Sequence, residues 1–154
     1  MTPLIRRMTP EDVPAVHEID LLSFSLPWTE RSFRFELTEN LITRGWVAEV
    51  DGKIIAMLVL WFIIDEAHIA TIAVHPNFRR QGIGEQILLH ALRDVQDEGA
   101  QRAFLEVRAG NLAARAMYRK YGFEVTGVRR RYYKDNNEDA LLMDLEKFEY
   151  LEAA

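Results

Sequence analysis

The chain has 154 residues, of which 49% are hydrophobic and 28% charged, so it can fold around a core without cross-links. It contains no cysteine, which excludes disulfides, thiolate nucleophiles and cysteine-based metal sites. The net charge of −5 argues against a nucleic-acid-binding protein, which usually has a basic balance. An acidic chain is instead suited to a cationic partner such as an amine or a basic peptide.

The N-terminal segment has neither the apolar region nor the cleavage site of a secretory signal. One apolar run, residues 54–64, has eleven residues, whereas a membrane-spanning helix needs roughly 20. We therefore predict that this run is a central strand buried on both faces. We expect a cytoplasmic protein that does not contact a membrane. No linker or repeat interrupts the chain, and a single domain over residues 1–154 is expected.

Hydrophobic periodicity and turn signals predict eleven elements in the order β-α-α-β-β-β-α-β-α-β-β, a mixed α/β sheet of seven strands with four helices. The predicted elements cover approximately residues 4–8, 9–24, 29–39, 46–50, 54–64, 67–74, 83–98, 103–107, 112–121, 123–133 and 140–145. Thr29 and Asn111 are suited to cap helices. Asp51-Gly52 is suited to a two-residue hairpin turn, and Pro14 predicts an irregular start to the first helix.

A glycine-rich loop follows the fourth predicted strand. Gly82 and Gly84 lie between this strand and a helix, where unpaired backbone N–H groups and the positive end of the helix dipole favour an anion such as a pyrophosphate. A dinucleotide-binding GxGxxG motif would need glycine where Ile87 stands, and a P-loop would need a lysine after the second glycine. A tight turn without a ligand is the alternative.

Two sequence motifs point to one family. They are Arg79-x-x-Gly82-x-Gly84 and Asn111-x-x-Ala114-x-x-x-Tyr118-x-x-x-Gly122-Phe123. Together they resemble the signatures of the GNAT acetyltransferases, and the resemblance covers the whole chain. It implies the GNAT fold, a central mixed, mostly antiparallel seven-stranded sheet flanked by helices.

Within this family the chain is most similar to the bacterial ribosomal-protein-alanine N-acetyltransferases. The local matches are Phe24 with Pro27-Trp28, the LEVR run at 105–108, RYY at 131–133 and EDAL at 138–141. Phe24 is separated from Pro27 by two residues, whereas relatives often have the aromatic residue directly before the proline. The resemblance implies transfer of an acetyl group to the N-terminal α-amine of a protein, with a ribosomal protein as a candidate.

The resemblance also implies a coenzyme site for acetyl-CoA, with no metal. It assigns the pyrophosphate to backbone amides of the glycine loop and the pantetheine arm to the preceding strand, with Tyr118 shared between this site and catalysis. The implied coenzyme-binding residues are Ile72, Ala73, Val74, Arg79, Arg80, Gln81, Gly82, Ile83, Gly84, Glu85, Asn111 and Tyr118.

Acetyl transfer needs a base, an acid and an oxyanion donor. Glu106, an acid inside an apolar strand, matches the family's proton acceptor, and a carboxylate suffices because roughly a third of an α-amine is already neutral near pH 7.4. Tyr118 is the candidate acid for the leaving thiolate, and the Val74 N–H is the candidate oxyanion donor. The alternatives are an ion pair between Glu106 and Arg108, and a packing role for Tyr118.

The acceptor is expected to contact Phe24, Pro27, Trp28, Tyr132 and Tyr133. The two tyrosines resemble the lid that covers the peptide in N-terminal acetyltransferases, although two tyrosines on a half-exposed strand are the alternative. The four histidines show no metal-ligand spacing. Two other functions stay open. One is a GNAT enzyme for a lysine or a small amine, and the other is a non-catalytic acyl-CoA sensor.

Overall fold

The computed structural model describes residues 2–148, which form seven strands and four α-helices in the predicted order. The strands are β1 (Leu4–Arg7), β2 (Thr43–Val50), β3 (Lys53–Ile63), β4 (Glu66–Val74), β5 (Arg102–Arg108), β6 (Glu124–Tyr133) and β7 (Glu138–Leu145). The helices are α1 (Val13–Ser23), α2 (Glu30–Thr38), α3 (Ile83–Asp97) and α4 (Leu112–Lys120).

All seven strands belong to one sheet, in the order β1-β2-β3-β4-β5-β7-β6. Every neighbouring pair is antiparallel except β4 and β5, which run parallel, so the predicted mixed, mostly antiparallel sheet is confirmed. Within the described chain, the parallel ladder pairs only residues 66–68 with 102–104. Both strands continue beyond it, and the sheet therefore opens between the C-terminal halves of β4 and β5.

The core lies on both faces of the sheet, and β3 contributes to each. Residues 55–60 are fully buried, as predicted for a central strand. Side chains alternate across a strand, so Leu58 and Leu60 pack with α3 on one face. Met57 and Val59 pack with α1 and Phe33 on the other. This two-layer burial fixes the helices on either side of the opening.

Local signals in the sequence explain where the elements begin and end. The Thr29 and Asn111 side chains accept the N–H groups of Ser32 and Ala114, which confirms both predicted caps. Asp51 and Gly52 both have positive φ, as a primed hairpin turn requires. A 3₁₀ turn precedes α1, and Pro14 lies in the first turn of that helix, where its missing N–H costs no hydrogen bond.

Candidate active site

The opening between β4 and β5 leads into a cavity of about 650 Å³. Its wall includes the ends of α1, β4 and β5, the loop after α1, and parts of α4 and β6. Of the predicted site residues, the lining contains Phe24, Trp28, Ile72, Glu106, Asn111, Tyr118, Tyr132 and Tyr133. Pro27, Ala73, Val74 and the loop 79–85 are not among the lining residues.

The β4 backbone presents groups to the opening that do not pair with β3. One of them, the Val74 carbonyl, accepts a hydrogen bond from Arg79. His75 donates its N–H to the carbonyl of Ile55, and hydrogen-bonded positions alternate along an antiparallel pair. The N–H and C=O groups of Ile72 and Val74 therefore point away from β3, on the side where β5 has diverged. Ala73 occupies the intervening position, paired with Met57 of β3. Two of the three predicted strand positions thus present their backbone to the opening.

The glycine loop leads into the N-terminus of α3. Gly82 is the N-cap and has φ +77°, a conformation that glycine adopts without steric cost. The first intrahelical bond runs from the Gln86 N–H to the Gly82 carbonyl, so the N–H groups of residues 83–85 lack a partner within residues 2–148. A Cβ on Gly84 would meet Met117 and Val74 only at ordinary contact distance, 3.7 Å.

Two charged side chains of the loop are already engaged. The Arg79 guanidinium donates to the Val74 carbonyl at 3.0 Å and to the Ser23 hydroxyl at 3.2 Å. The Glu85 carboxylate accepts the Tyr121 hydroxyl at 2.6 Å and contacts Lys120 at 3.1 Å. These bonds lower the pKa of Glu85, so the acid stays ionised but is held away from the unpaired N–H groups. The unpaired N–H groups at the start of α3 therefore remain available to an anion.

Tyr118 is buried at the base of the cavity, with 4% of its surface exposed. Its ring packs against Phe123, with the ring centroids 5.7 Å apart. Its hydroxyl has no hydrogen-bond partner within residues 2–148. Burial, with a smaller contribution from Tyr133, raises the pKa of this phenol well above its ordinary value. Tyr118 therefore carries its proton at physiological pH and can donate it.

Glu106 lies on the exposed part of β5 and lines the same cavity. Its carboxylate pairs with the Arg129 guanidinium at 3.1 Å. The alternative interpretation, an ion pair between Glu106 and Arg108, is wrong. Arg108 instead contacts Asp135 of the β6–β7 turn and Glu138 at the start of β7, because that turn folds back over the end of β5. Glu106 is thus free of Arg108 and oriented by Arg129 of β6, the strand beyond β7.

Aromatic side chains form the opposite wall of the cavity. Trp28 stacks on Trp61 at 6.3 Å and contacts Phe33 at 5.0 Å, which fixes the loop between α1 and α2. Tyr132 and Tyr133 form an edge-to-face pair at 5.2 Å. Both tyrosines line the cavity, although Tyr132 is 45% exposed. The loop and the tyrosine pair line the same cavity.

Comparison with known proteins identifies the family. The sequence pattern of the Acetyltransferase (GNAT) family matches residues 13–123. The chain is 40% identical over 139 residues to a Bacillus subtilis (strain 168) protein to which [ribosomal protein bS18]-alanine N-acetyltransferase activity is ascribed, covering 90% of this chain and 92% of that one. The chain belongs to the GNAT family.

Solved GNAT structures show the same fold. The crystal structure of the ribosomal-protein-S18-alanine N-acetyltransferase from Escherichia coli superposes with a TM-score of 0.86 at 34% identity, covering 94% of this chain and 93% of that one. A GNAT acetyltransferase from Elizabethkingia anophelis with acetyl-CoA bound superposes with a TM-score of 0.77 at 23% identity, covering 94% and 98%. This GNAT chain is therefore an N-acetyltransferase with the fold predicted from its sequence.

Asp20 and Arg108 are among the polar residues of the cavity wall that were not predicted as site residues. Asp20 lies in the last turn of α1 and accepts the Trp28 N–H at 2.6 Å. Arg108 stacks over Tyr133 at 3.9 Å and contacts Ser25 at 3.4 Å. A signal for Asp20 was present, because it stands at a position of α1 where the helical period places apolar residues such as Val13 and Val16.

Neither a metal cluster nor a membrane helix appears in the described part of this GNAT chain. Residues 2–148 contain no group of three or more histidine, aspartate or glutamate side chains arranged to hold a metal ion. None of the four α-helices combines the length and the hydropathy needed to cross a bilayer.

Proposed function

We propose that this GNAT enzyme transfers the acetyl group of acetyl-CoA to the N-terminal α-amine of a protein, with an alanine-starting ribosomal protein such as bS18 as the first candidate. The observation that carries the proposal is a single cavity that contains both the β4 edge and the aromatic acceptor wall. Glu106 and Tyr118 line that same cavity, so a base and an acid are available to one bound amine.

The coenzyme site is supported by groups that lack partners. Anions are favoured by unpaired N–H groups at a helix N-terminus, and the start of α3 provides them. Ile72 and the Val74 N–H offer backbone groups along the edge of the opening, where a pantetheine arm could add as an extended strand. The Val74 carbonyl is occupied by Arg79. Acetyl-CoA supplies the activated acetyl thioester. Asn111 and Tyr118 complete the proposed coenzyme set from α4.

The side chains divide the proton transfers between them. Glu106 accepts the proton of the amine, directly or through one water molecule, and Arg129 holds its carboxylate in place. The Val74 N–H stabilises the charge that develops on the carbonyl oxygen. Tyr118 returns a proton to the departing sulfur. Phe24, Pro27, Trp28, Tyr132 and Tyr133 position the acceptor.

An α-amine acceptor is expected to distinguish this enzyme from a lysine acetyltransferase. A peptide with a free N-terminal alanine should be acetylated, whereas the same peptide with a blocked N-terminus and one internal lysine should be inert. The reason is that about one lysine in a thousand is neutral near pH 7.4, against roughly a third of α-amines. Thiol release from acetyl-CoA, measured over a panel of both peptide types and small amines, tests this.

If the free and the blocked peptide were acetylated at equal rates, the acceptor would be the lysine side chain and not the N-terminal amine. Turnover of small amines alone would replace it with a metabolite acceptor. Acetyl-CoA binding without turnover of any amine in the panel would favour the non-catalytic sensor.

Gly84→Asp is expected to weaken acetyl-CoA binding by about tenfold or more, because it places a negative charge beside the proposed pyrophosphate site at the start of α3. Gly84→Ala is the matched control, since a Cβ finds only ordinary contacts there. Gly84 is a better position for this test than Gly82, where the positive φ would add strain to any substitution. Calorimetry on the two folded variants measures the effect. If Gly84→Asp bound acetyl-CoA with unchanged affinity, the coenzyme would not bind at this loop.

A further inference from the structure

Asp20 is a buried carboxylate without a cationic partner. Only 1% of its surface is exposed, yet it lines the cavity. Within residues 2–148 its carboxylate accepts one hydrogen bond, from the Trp28 N–H to Oδ2. The other buried acid, Asp12, is in a different situation, because the Arg6 guanidinium donates to both of its oxygens. Within residues 2–148, no cationic side chain therefore forms an ion pair with Asp20, although the charge of His17 acts on it.

The second oxygen of Asp20 faces the cavity. In the described part of the chain, Arg115 Nε is the only fully enclosed side-chain nitrogen or oxygen that lacks a hydrogen-bond partner. Oδ1 of Asp20 also accepts no hydrogen bond within residues 2–148. Since it is not one of the fully enclosed atoms without a partner, it is not fully enclosed. The open space next to Asp20 is the cavity, because Asp20 is one of its lining residues. An occupant of the cavity can therefore reach this oxygen.

The loop geometry does not require a negative charge at this position. The carbonyl of an asparagine side chain would accept the Trp28 N–H equally well. Burial of a carboxylate without a cation is costly, and desolvation raises the pKa of Asp20. Of the other charged side chains in the cavity wall, Glu106 pairs with Arg129 and Arg108 pairs with Asp135. Lys134 also lines the cavity, but within residues 2–148 it makes no ion pair with Asp20. A cation that enters the cavity would compensate Asp20.

We propose that Asp20 is an acceptor-binding residue whose free carboxylate oxygen holds the cationic amine of the acceptor before that amine loses its proton. This inference rests on the proposed function, because it takes the ammonium of a protein N-terminus as the cation. An amine held as ammonium is bound in its unreactive form. Because it stabilises the bound acceptor but not the transition state, the contact lowers KM for the acceptor and, near neutral pH, lowers kcat with it, so that kcat/KM changes little.

Asp20→Asn tests the charge while it keeps an acceptor for the Trp28 N–H. Near pH 7, where most of the α-amine is cationic, KM for an N-terminal peptide should rise about tenfold or more. Near pH 9 the amine is mostly neutral, and the rise should shrink to about twofold. Near pH 7 kcat should rise by up to a similar factor, because less of the bound amine is held as unreactive ammonium. At pH 9 kcat, and at both pH values the KM for acetyl-CoA, should stay within about twofold of the wild type. Glu18→Gln removes an exposed carboxylate from the same helix and should leave every constant unchanged.

The pH comparison depends on the groups that share the cavity with Asp20. The groups concerned are Glu106, Arg108, Tyr118, Tyr132, Tyr133 and Lys134. His17 lies outside the cavity lining, on the same helix as Asp20, and its charge lowers the pKa of Asp20. Burial raises the pKa values of Tyr118 and Tyr133, so both phenols stay neutral across this range. The amine of the acceptor is then the group whose change of charge dominates the comparison.

An unchanged acceptor KM in Asp20→Asn near pH 7 would overturn the inference. It would also be overturned by a joint loss of kcat, acetyl-CoA affinity and melting temperature, since that pattern describes a structural anchor for Trp28. Binding to the wild-type enzyme gives a test that does not depend on the folding of a variant. With coenzyme A present, the free peptide should bind at least about tenfold more tightly than its N-formyl form, and equal binding would contradict the proposal.

Failure of the proposed function has a different signature. It would appear as a wild-type enzyme that acetylates no N-terminal peptide. Failure of the Asp20 assignment would appear as a wild-type enzyme that does so, with an Asp20→Asn variant that matches it.

Discussion

Removal of the Tyr118 hydroxyl is expected to slow acetyl transfer by about 10²–10⁴-fold while coenzyme affinity stays nearly unchanged. Tyr118→Phe keeps the ring that packs against Phe123. The hydroxyl has no partner within residues 2–148, so its deletion leaves no unsatisfied donor or acceptor behind. The variant should therefore fold with wild-type stability, and the loss should fall on kcat.

The raised pKa of Tyr118 gives this prediction a pH signature. Because burial holds the phenol neutral, Tyr118 should add no alkaline limb to the kcat profile below about pH 10. A thiolate released into the same desolvated cavity is also destabilised as an anion, so its basicity rises together with that of the phenol. The proton transfer thus remains feasible although the phenol is a weaker acid than in water.

Tyr121→Phe is the matched control for the loss of a buried tyrosine hydroxyl. Tyr121 follows the same helix and is buried to a similar extent, but it does not line the cavity and bonds to Glu85. The rate of acetyl transfer by Tyr121→Phe should fall less than about tenfold. The comparison with Tyr118→Phe then separates loss of a proton donor from loss of packing. Single-turnover kinetics should accompany both variants, so that chemistry is measured rather than product release. Wild-type single-turnover rates in Tyr118→Phe would assign Tyr118 to packing alone.

The sheet and its helices could be predicted because local signals agree along the chain. Eleven apolar residues in a row do not fit a half-exposed strand, so the run 54–64 was predicted to lie in the middle of the sheet. Residues 55–60 are buried there, whereas Ile63 and Ile64 at its end are exposed. The Thr29 and Asn111 caps and the Asp51-Gly52 turn fixed their element ends through short-range hydrogen bonds and backbone sterics. These features depend on neighbours within four residues, which a sequence displays directly.

The charge pairs around the cavity could not be predicted, because they join distant parts of the chain. The alternative interpretation of the sequence was an ion pair between Glu106 and Arg108, because residues two apart on a strand share one face. The sheet order instead places β6 and the β6–β7 turn at the end of β5, so that Arg129 pairs with Glu106 and Asp135 with Arg108. Asp20 was missed for the same reason, since its importance depends on a cavity that only the folded chain creates.

Replacement of the Glu106 carboxylate is expected to reduce kcat/KM by about 10²-fold near neutral pH and by much less at high pH. Glu106→Gln preserves size and hydrogen-bonding capacity but cannot accept a proton. If the acceptor is an α-amine, it is already mostly neutral above its own pKa of about 7.7–8, so the missing base matters less there. The variant should therefore approach the wild type as the pH rises.

The pH profile of the wild type then identifies the acceptor by itself. kcat/KM reports the free enzyme and the free substrate, so for an α-amine it should rise to a plateau near pH 7.7–8, the approximate range of the amine's pKa. A lysine acceptor would keep the profile rising towards about pH 10. Arg129→Gln is the companion variant, because it removes the ion pair that orients Glu106 but leaves the carboxylate. Its loss should be smaller than that of Glu106→Gln and nearly independent of pH. If instead the Glu106→Gln defect is the same at every pH, Glu106 acts through position or charge, and the proton of the amine leaves by another route.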